Sequence, residues 1–174
     1  MSAPPLLRIV GPPGSGKSLL ITSLLEAFRQ RGRRVASTTT RLAVTGPEGA
    51  TVFALPNGGR VTASRILNAR EQIEVATSMD PNLDLLLAEG LEEAGVPAVE
   101  LTLSAGSPPA TAANDLLAIV TSEQVTGDFA VRGPGETHGL ADLIEQRLLG
   151  VVPPPPTLAA EAPHRGLFGR FRRR

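Results

Sequence analysis

Gly11-Pro12-Pro13-Gly14-Ser15-Gly16-Lys17-Ser18 satisfies every fixed position of the phosphate-binding pattern G-x-x-x-x-G-K-[ST]. Its neighbours suit it. Leu6-Leu7-Arg8-Ile9-Val10 is a short, mostly apolar run that reads as a buried strand. Ser18 to Arg31 reads as a helix with Leu20, Leu24, Leu25 and Phe28 on one face. A strand, a glycine-rich turn and a helix N-terminus make an anion cradle, because the N–H groups of turn and helix converge on a phosphate. The pattern assigns Lys17 to the β/γ-phosphates and the Ser18 hydroxyl to Mg²⁺. Lys17 is also the only lysine in the chain, and all other basic residues besides the two histidines are arginine. A compact ammonium on a flexible stem is not interchangeable with a planar guanidinium.

Downstream, Arg31-Gly32-Arg33-Arg34 closes the helix and Val35 to Thr40 reads as a second strand. Strand, helix and strand with a short connection predict a β-α-β unit and a parallel sheet. Thr38, Thr39, Thr40 and Arg41 would lie at the strand's C-terminal end, where ligands bind in open α/β sheets. Thr45 to Gly49 reads as a turn. Thr51 to Leu55 and Arg60 to Ala63 flank Pro56-Asn57-Gly58-Gly59, a strong hairpin signal. Ile66 to Met79 reads as a helix stopped by Asp80-Pro81-Asn82. Arg60, Arg65 and Arg70 do not share a helical face and read as solvated charges rather than a phosphate lid.

Leu83 to Ala88 is the clearest buried strand, and it ends in Glu89-Gly90. Many phosphate-loop sites take their second half from an apolar strand ending in an acid that holds the metal or its water. Glu89 is therefore the candidate metal-side and catalytic carboxylate, and Asp84, at the other strand end, should point away. Val96 to Leu103 reads as a strand, Ser104 to Asn114 as a loop, and Leu116 to Val120 as a strand ending in Thr121 and Ser122, candidates for contact with a base. Asp128 to Arg132 reads as a short last strand and Thr137 to Leu149 as an amphipathic helix with Leu140, Leu143, Ile144 and Leu148 inward. Residues 1–152 are thus expected to form one nucleotide-binding domain. Pro153 to Pro156 opens a Pro-rich linker, and a basic, disordered tail runs to Arg174.

Composition narrows the function. The 174 residues carry no net charge, no cysteine, no Trp or Tyr, and five Phe. That excludes disulfide, zinc-finger and thiol chemistry. It also gives no electrostatic or stacking case for nucleic acid. No signal-peptide pattern and no apolar run long enough for a bilayer are present, so a cytoplasmic protein without a membrane partner is expected.

Several features together resemble the molybdopterin-guanine dinucleotide biosynthesis protein B (MobB) family. They are Leu7 to Ser18 with its helix and the Arg-Gly-Arg-Arg-Val strand start, the strand pair Gly49 to Ile66, and Asn82-Leu83-Asp84-Leu85-Leu86-Leu87-Ala88-Glu89-Gly90-Leu91. Pro97 to Leu101 and the closing helix Gly139 to Leu149 follow in the family's order. The resemblance implies a P-loop NTPase-type α/β fold, mainly parallel, with an inserted hairpin. It implies binding of GTP with Mg²⁺, slow hydrolysis at most, homodimerisation, and a helper role beside the guanylyltransferase that joins GMP to molybdopterin. Carried over by position, Gly11, Pro12, Pro13, Gly14, Ser15, Gly16, Lys17, Ser18 and Leu19 bind the nucleotide, and Ser18 and Glu89 lie at the metal. Ser37 to Arg41 stands where the family has a Lys-His-Asp type motif, and no histidine precedes His138. A small-molecule kinase or ATPase, or a non-catalytic nucleotide-dependent interaction module, would use the same loop.

Overall fold

A computed structural model describes residues 3–42, 49–103, 108–123 and 130–151. Most of the expected turn at Thr45 to Gly49, part of the loop at Ser104 to Asn114, the start of the strand at Asp128, and the linker and tail from residue 153 lie outside them. The elements are β1 (Leu6–Val10), α1 (Lys17–Gln30), β2 (Val35–Arg41), β3 (Ala50–Ala54), β4 (Arg60–Ala63), α2 (Ala69–Met79), β5 (Leu85–Glu89), β6 (Ala98–Leu101), β7 (Leu116–Val120), β8 (Val131–Arg132) and α3 (Thr137–Leu148).

The strands form one sheet in the order β4-β3-β2-β5-β1-β6-β7-β8. From β2 to β8 all pairings are parallel, and the β3–β4 hairpin is antiparallel at one edge. This is a P-loop NTPase-type α/β fold with an inserted hairpin. β1 and β2 are parallel, as their short connection requires, yet β5 lies between them and bonds to both. The hairpin turn closes where Asn57-Gly58 predicts, with Gly58 N–H on the Leu55 carbonyl and Gly59 N–H on the Asn57 side chain.

Alternating side chains feed two cores. Leu7, Ile9, Leu85, Leu87, Val99 and Leu101 pack under α1 and α3. Leu6, Ala36, Phe53, Leu86 and Ala88 pack on the other face, with Ala69 and Ala76 of α2. That second core draws nothing from β6 or β7, so α2 covers only part of its face. Three boundaries correct the sequence reading. The second helix begins at Ala69 rather than Ile66, because Asn68 and Glu71 form a reciprocal capping box there; Ile66 is 43 % exposed before it. The strand expected over Val96 to Leu103 is only Ala98–Leu101, and the one expected from Leu83 starts at Leu85, with Asp84 accepting the Arg34 N–H at its foot.

Candidate functional site

The loop from Gly11 to Gly16 joins the C-terminal end of β1 to the first residue of α1. Gly11 has φ 144°, and a Cβ there would sit 2.6 Å from the Leu101 carbonyl oxygen, so only glycine fits beside β6. Gly16 is the helix N-cap, with φ 89° and no side-chain cap, and the first turn of α1 holds no acid. The first helical bond runs from Leu20 N–H to the Gly16 carbonyl. The N–H groups of Lys17, Ser18 and Leu19 therefore precede the helical ladder, at the positive end of an uncompensated helix dipole. That arrangement suits an anion.

The Lys17 ammonium donates to the carbonyls of Gly11 and Pro12, at 2.9 Å each. The Ser18 hydroxyl donates to the Glu89 carboxylate, lying 3.1 and 3.0 Å from its two oxygens. Sheet register makes this meeting possible. Glu89 is the last residue of β5, opposite Ile9 of β1 and Thr39 of β2, at the edge from which the loop departs. Residues 71 positions apart thus converge as expected. Their oxygens are hard donors, and Mg²⁺ in nucleotide sites takes one or two protein oxygens with phosphates and water, so Ser18 and Glu89 fit that ion. No group of three or more acidic, His or Cys side chains placed to hold a metal ion occurs among the described residues.

Beside the loop, at the ends of β6 and β7, a cleft of about 270 Å³ is lined by Ser15, Gly16, Leu19, Thr102, Thr121 and Ser122 among others. The Ser15 and Thr102 hydroxyls are buried without a hydrogen-bond partner among the described residues. Buried polar groups are nearly always paired, so these two mark the cleft as a place for a polar ligand. Thr102 went unnoticed in the sequence, since one threonine at a strand end carries no signal. Thr121 is buried and its hydroxyl accepts the Glu123 N–H, whereas Ser122 is exposed. Leu19, 72 % exposed, gives the cleft an apolar wall.

The β2 end does not join this site. The Thr38 hydroxyl donates to the Gln72 side chain at 2.6 Å, and both residues are buried, so that threonine serves the β2–α2 interface. Arg41 is exposed and makes no hydrogen bond or ion pair with the loop. The three spaced arginines form no lid: Arg65 pairs with Glu71 and Arg70 with Glu74 on α2, while Arg60 is exposed on β4.

No family model matches the chain, and no curated protein matches its sequence. Its structure is similar to solved MobB structures. Bacillus subtilis MobB superposes with a TM-score of 0.62 at 20 % identity, over 84 % of this chain and 99 % of that one. A MobB homologue from Bacillus stearothermophilus gives 0.56 at 21 %, over 84 % and 99 %. A molybdopterin-guanine biosynthesis protein B structure gives 0.54 at 20 %, over 83 % and 99 %. The fold is therefore MobB-like and divergent in sequence.

Proposed function

We propose that this chain is a nucleotide-binding accessory protein of molybdenum cofactor biosynthesis that binds GTP with Mg²⁺ and hydrolyses it slowly at most. One observation carries the reading. The Ser18–Glu89 pair and the uncapped start of α1 surround one point on a fold shared with MobB proteins. In this reading Gly11 to Leu19 cradle the phosphates, and Lys17 leaves the Gly11 and Pro12 carbonyls for the β/γ-phosphates. Ser18 and Glu89 hold Mg²⁺, which would neutralise phosphate charge. Ser15, Thr102 and Ser122 face the nucleoside in the neighbouring cleft. The preference for GTP, the homodimer, the guanylyltransferase partner, the cytoplasmic location and the division into domain and tail belong to the same proposal.

Slow turnover follows from what stands near the loop. Phosphoryl transfer gains about 10³–10⁵ in rate from an added arginine or a water-orienting group. Among the described residues Glu89 is the acid bonded to the loop's Ser18, and Arg41 makes no hydrogen bond or ion pair there. Titration calorimetry of GTP and ATP with Mg²⁺, on wild type and Lys17→Ala, tests the reading. The expected result is GTP binding that Lys17→Ala abolishes. ATP preference would redirect the assignment to a kinase or ATPase, and no binding of either would sink it. Turnover of about 1 s⁻¹ by the protein alone, the low end for kinases, would overturn the slow-hydrolysis part.

A further inference from the structure

A groove of about 580 Å³ opens on the α2 side of the sheet, beyond the ends of β2 and β5, and the nucleotide reading makes no use of it. Leu67 and Leu91, members of the second core, line it. Five large apolar side chains are exposed among the described residues. Leu19 and Leu103 belong to the nucleoside cleft, and Val61 is on β4. The other two, Leu42 at 80 % and Ile66 at 43 % exposure, both line this groove. Thr40 lines it too, and its hydroxyl is buried with no partner among the described residues.

The groove's charge is one-sided. Glu71, Glu92 and Glu93 line it, and among the described residues no basic side chain does. Glu71 is paired with Arg65, and Glu93 accepts the Ala69 N–H. Glu92 is exposed and makes no hydrogen bond or ion pair among the described residues. The chain's zero net charge conceals a matching asymmetry. Residues 1–152 carry twelve basic and sixteen acidic side chains, and residues 153–174 carry five basic and one acidic. All five of those arginines lie between Arg165 and Arg174, interleaved with Leu167, Phe168 and Phe171. A second copy of residues 1–152 would bring like charge to an acidic groove. The last ten residues bring opposite charge and apolar side chains together.

We propose that the groove is the docking site of this chain's own C-terminal segment, Arg165 to Arg174. Leu167, Phe168 and Phe171 cover Leu42 and Ile66, and the arginines neutralise Glu92. Chain length permits it. α3 packs in the first core and Val151 bonds to the Glu145 carbonyl, so the chain leaves α3 on the face opposite the groove. Twenty-three residues follow Val151. Extended at about 3.1 Å each they span about 70 Å, more than twice the width of a small domain, about 30 Å. The tether also supplies concentration. At about 1 mM effective concentration, an intrinsic affinity of about 0.25 mM gives a docked-to-free ratio of about four. That ratio stabilises the chain by only about 0.9 kcal/mol, so docking hardly moves the melting point. The inference goes beyond the nucleotide reading and does not rest on it.

Paramagnetic broadening in the full chain tests the proposal. The sequence has no cysteine, so a nitroxide on Gly166→Cys labels the segment alone. In the ¹⁵N-labelled protein the amides of Leu42, Ile66, Leu67 and Leu91 to Glu93 should broaden, and those of the hairpin turn at Asn57-Gly58 should not. Glu92→Arg turns one attraction into a repulsion and should lower the docked-to-free ratio about fivefold. Raising the salt should weaken the broadening in the same way, because the charges are exposed. Phe168→Ser with Phe171→Ser should abolish it while leaving the groove itself unaltered, so that misfolding cannot explain the loss. No broadening at the groove overturns the proposal, as does broadening that survives both variants. Broadening transferred from a nitroxide-bearing chain to a separate ¹⁵N-labelled chain would make the occupant a second copy and overturn it. So would a label that leaves the groove untouched in buffer and is immobilised by vesicles of anionic lipid, which would assign the segment to a membrane surface. Docking in a chain that binds no GTP would leave this proposal standing and sink the nucleotide reading alone.

Discussion

Gly11 shows how narrowly one residue sets the loop. A methyl group there meets the Leu101 carbonyl, which belongs to a central strand and cannot yield. Gly11→Ala should cost about 1–3 kcal/mol from backbone strain, before the clash is counted. A lowered urea midpoint together with lost GTP binding would be the signature; an unchanged midpoint would show that the loop relocates freely. The glycine and the lysine were legible because their roles follow from local chain geometry. Thr102 was not, because a hydroxyl becomes notable only when burial leaves it without a partner. Thr38 misled for the complementary reason: its partner, Gln72, lies on a helix that sequence pattern cannot dock.

At the level of elements, α2 depends on its first turn. The Asn68 side chain accepts the Glu71 N–H, the Glu71 carboxylate accepts the Asn68 N–H, and Glu93 takes the Ala69 N–H. Asn68→Ala should destabilise by about 1 kcal/mol, a melting shift of about 2–4 °C. Calorimetric melting reads it directly. The capping signature Asn-x-x-Glu was present in the sequence, but apolar Ile66 drew the helix start too early. The joint between α1 and α3 had no such signature. Arg31 and Arg33, just beyond α1, bond to Glu145 of α3 at 2.7 and 2.8 Å. Burial pushes the Glu145 carboxyl up, yet hydrogen bonds from Arg33 and Arg31 outweigh it and hold the group below its ordinary 4.5. A depressed folded value means stability that is complete above the unfolded value and lost as pH falls below it. Unfolding free energy should therefore drop as pH falls from about 4.5, and Glu145→Gln should flatten that part of the profile. An identical slope in the variant would rule out this source.

For the molecule as a whole, the sheet order carries the site. β1 meets β5 and β6, segments that lie far along the chain, and that alone brings Glu89 to Ser18. Strand identities could be read from apolar runs, but their order could not, because parallel partners leave no turn between them to read. Among the described residues, the two cores are assembled from positions before Val151. A chain of residues 1–152 should accordingly melt within about 2 °C of the full chain, a difference under about 1 kcal/mol. A larger fall would mean that residues beyond 152 belong to the domain.

The perch of Lys17 on two loop carbonyls has a consequence for labelling chemistry. In a chain with one lysine, an acetylating reagent finds only that side-chain amine besides the α-amino group. Its modification would report directly on the state of the loop. Acetylation with and without GTP and Mg²⁺, read by intact-mass spectrometry, should differ by one acetyl group, so that the protein counts its own bound phosphate without a radiolabel or a dye.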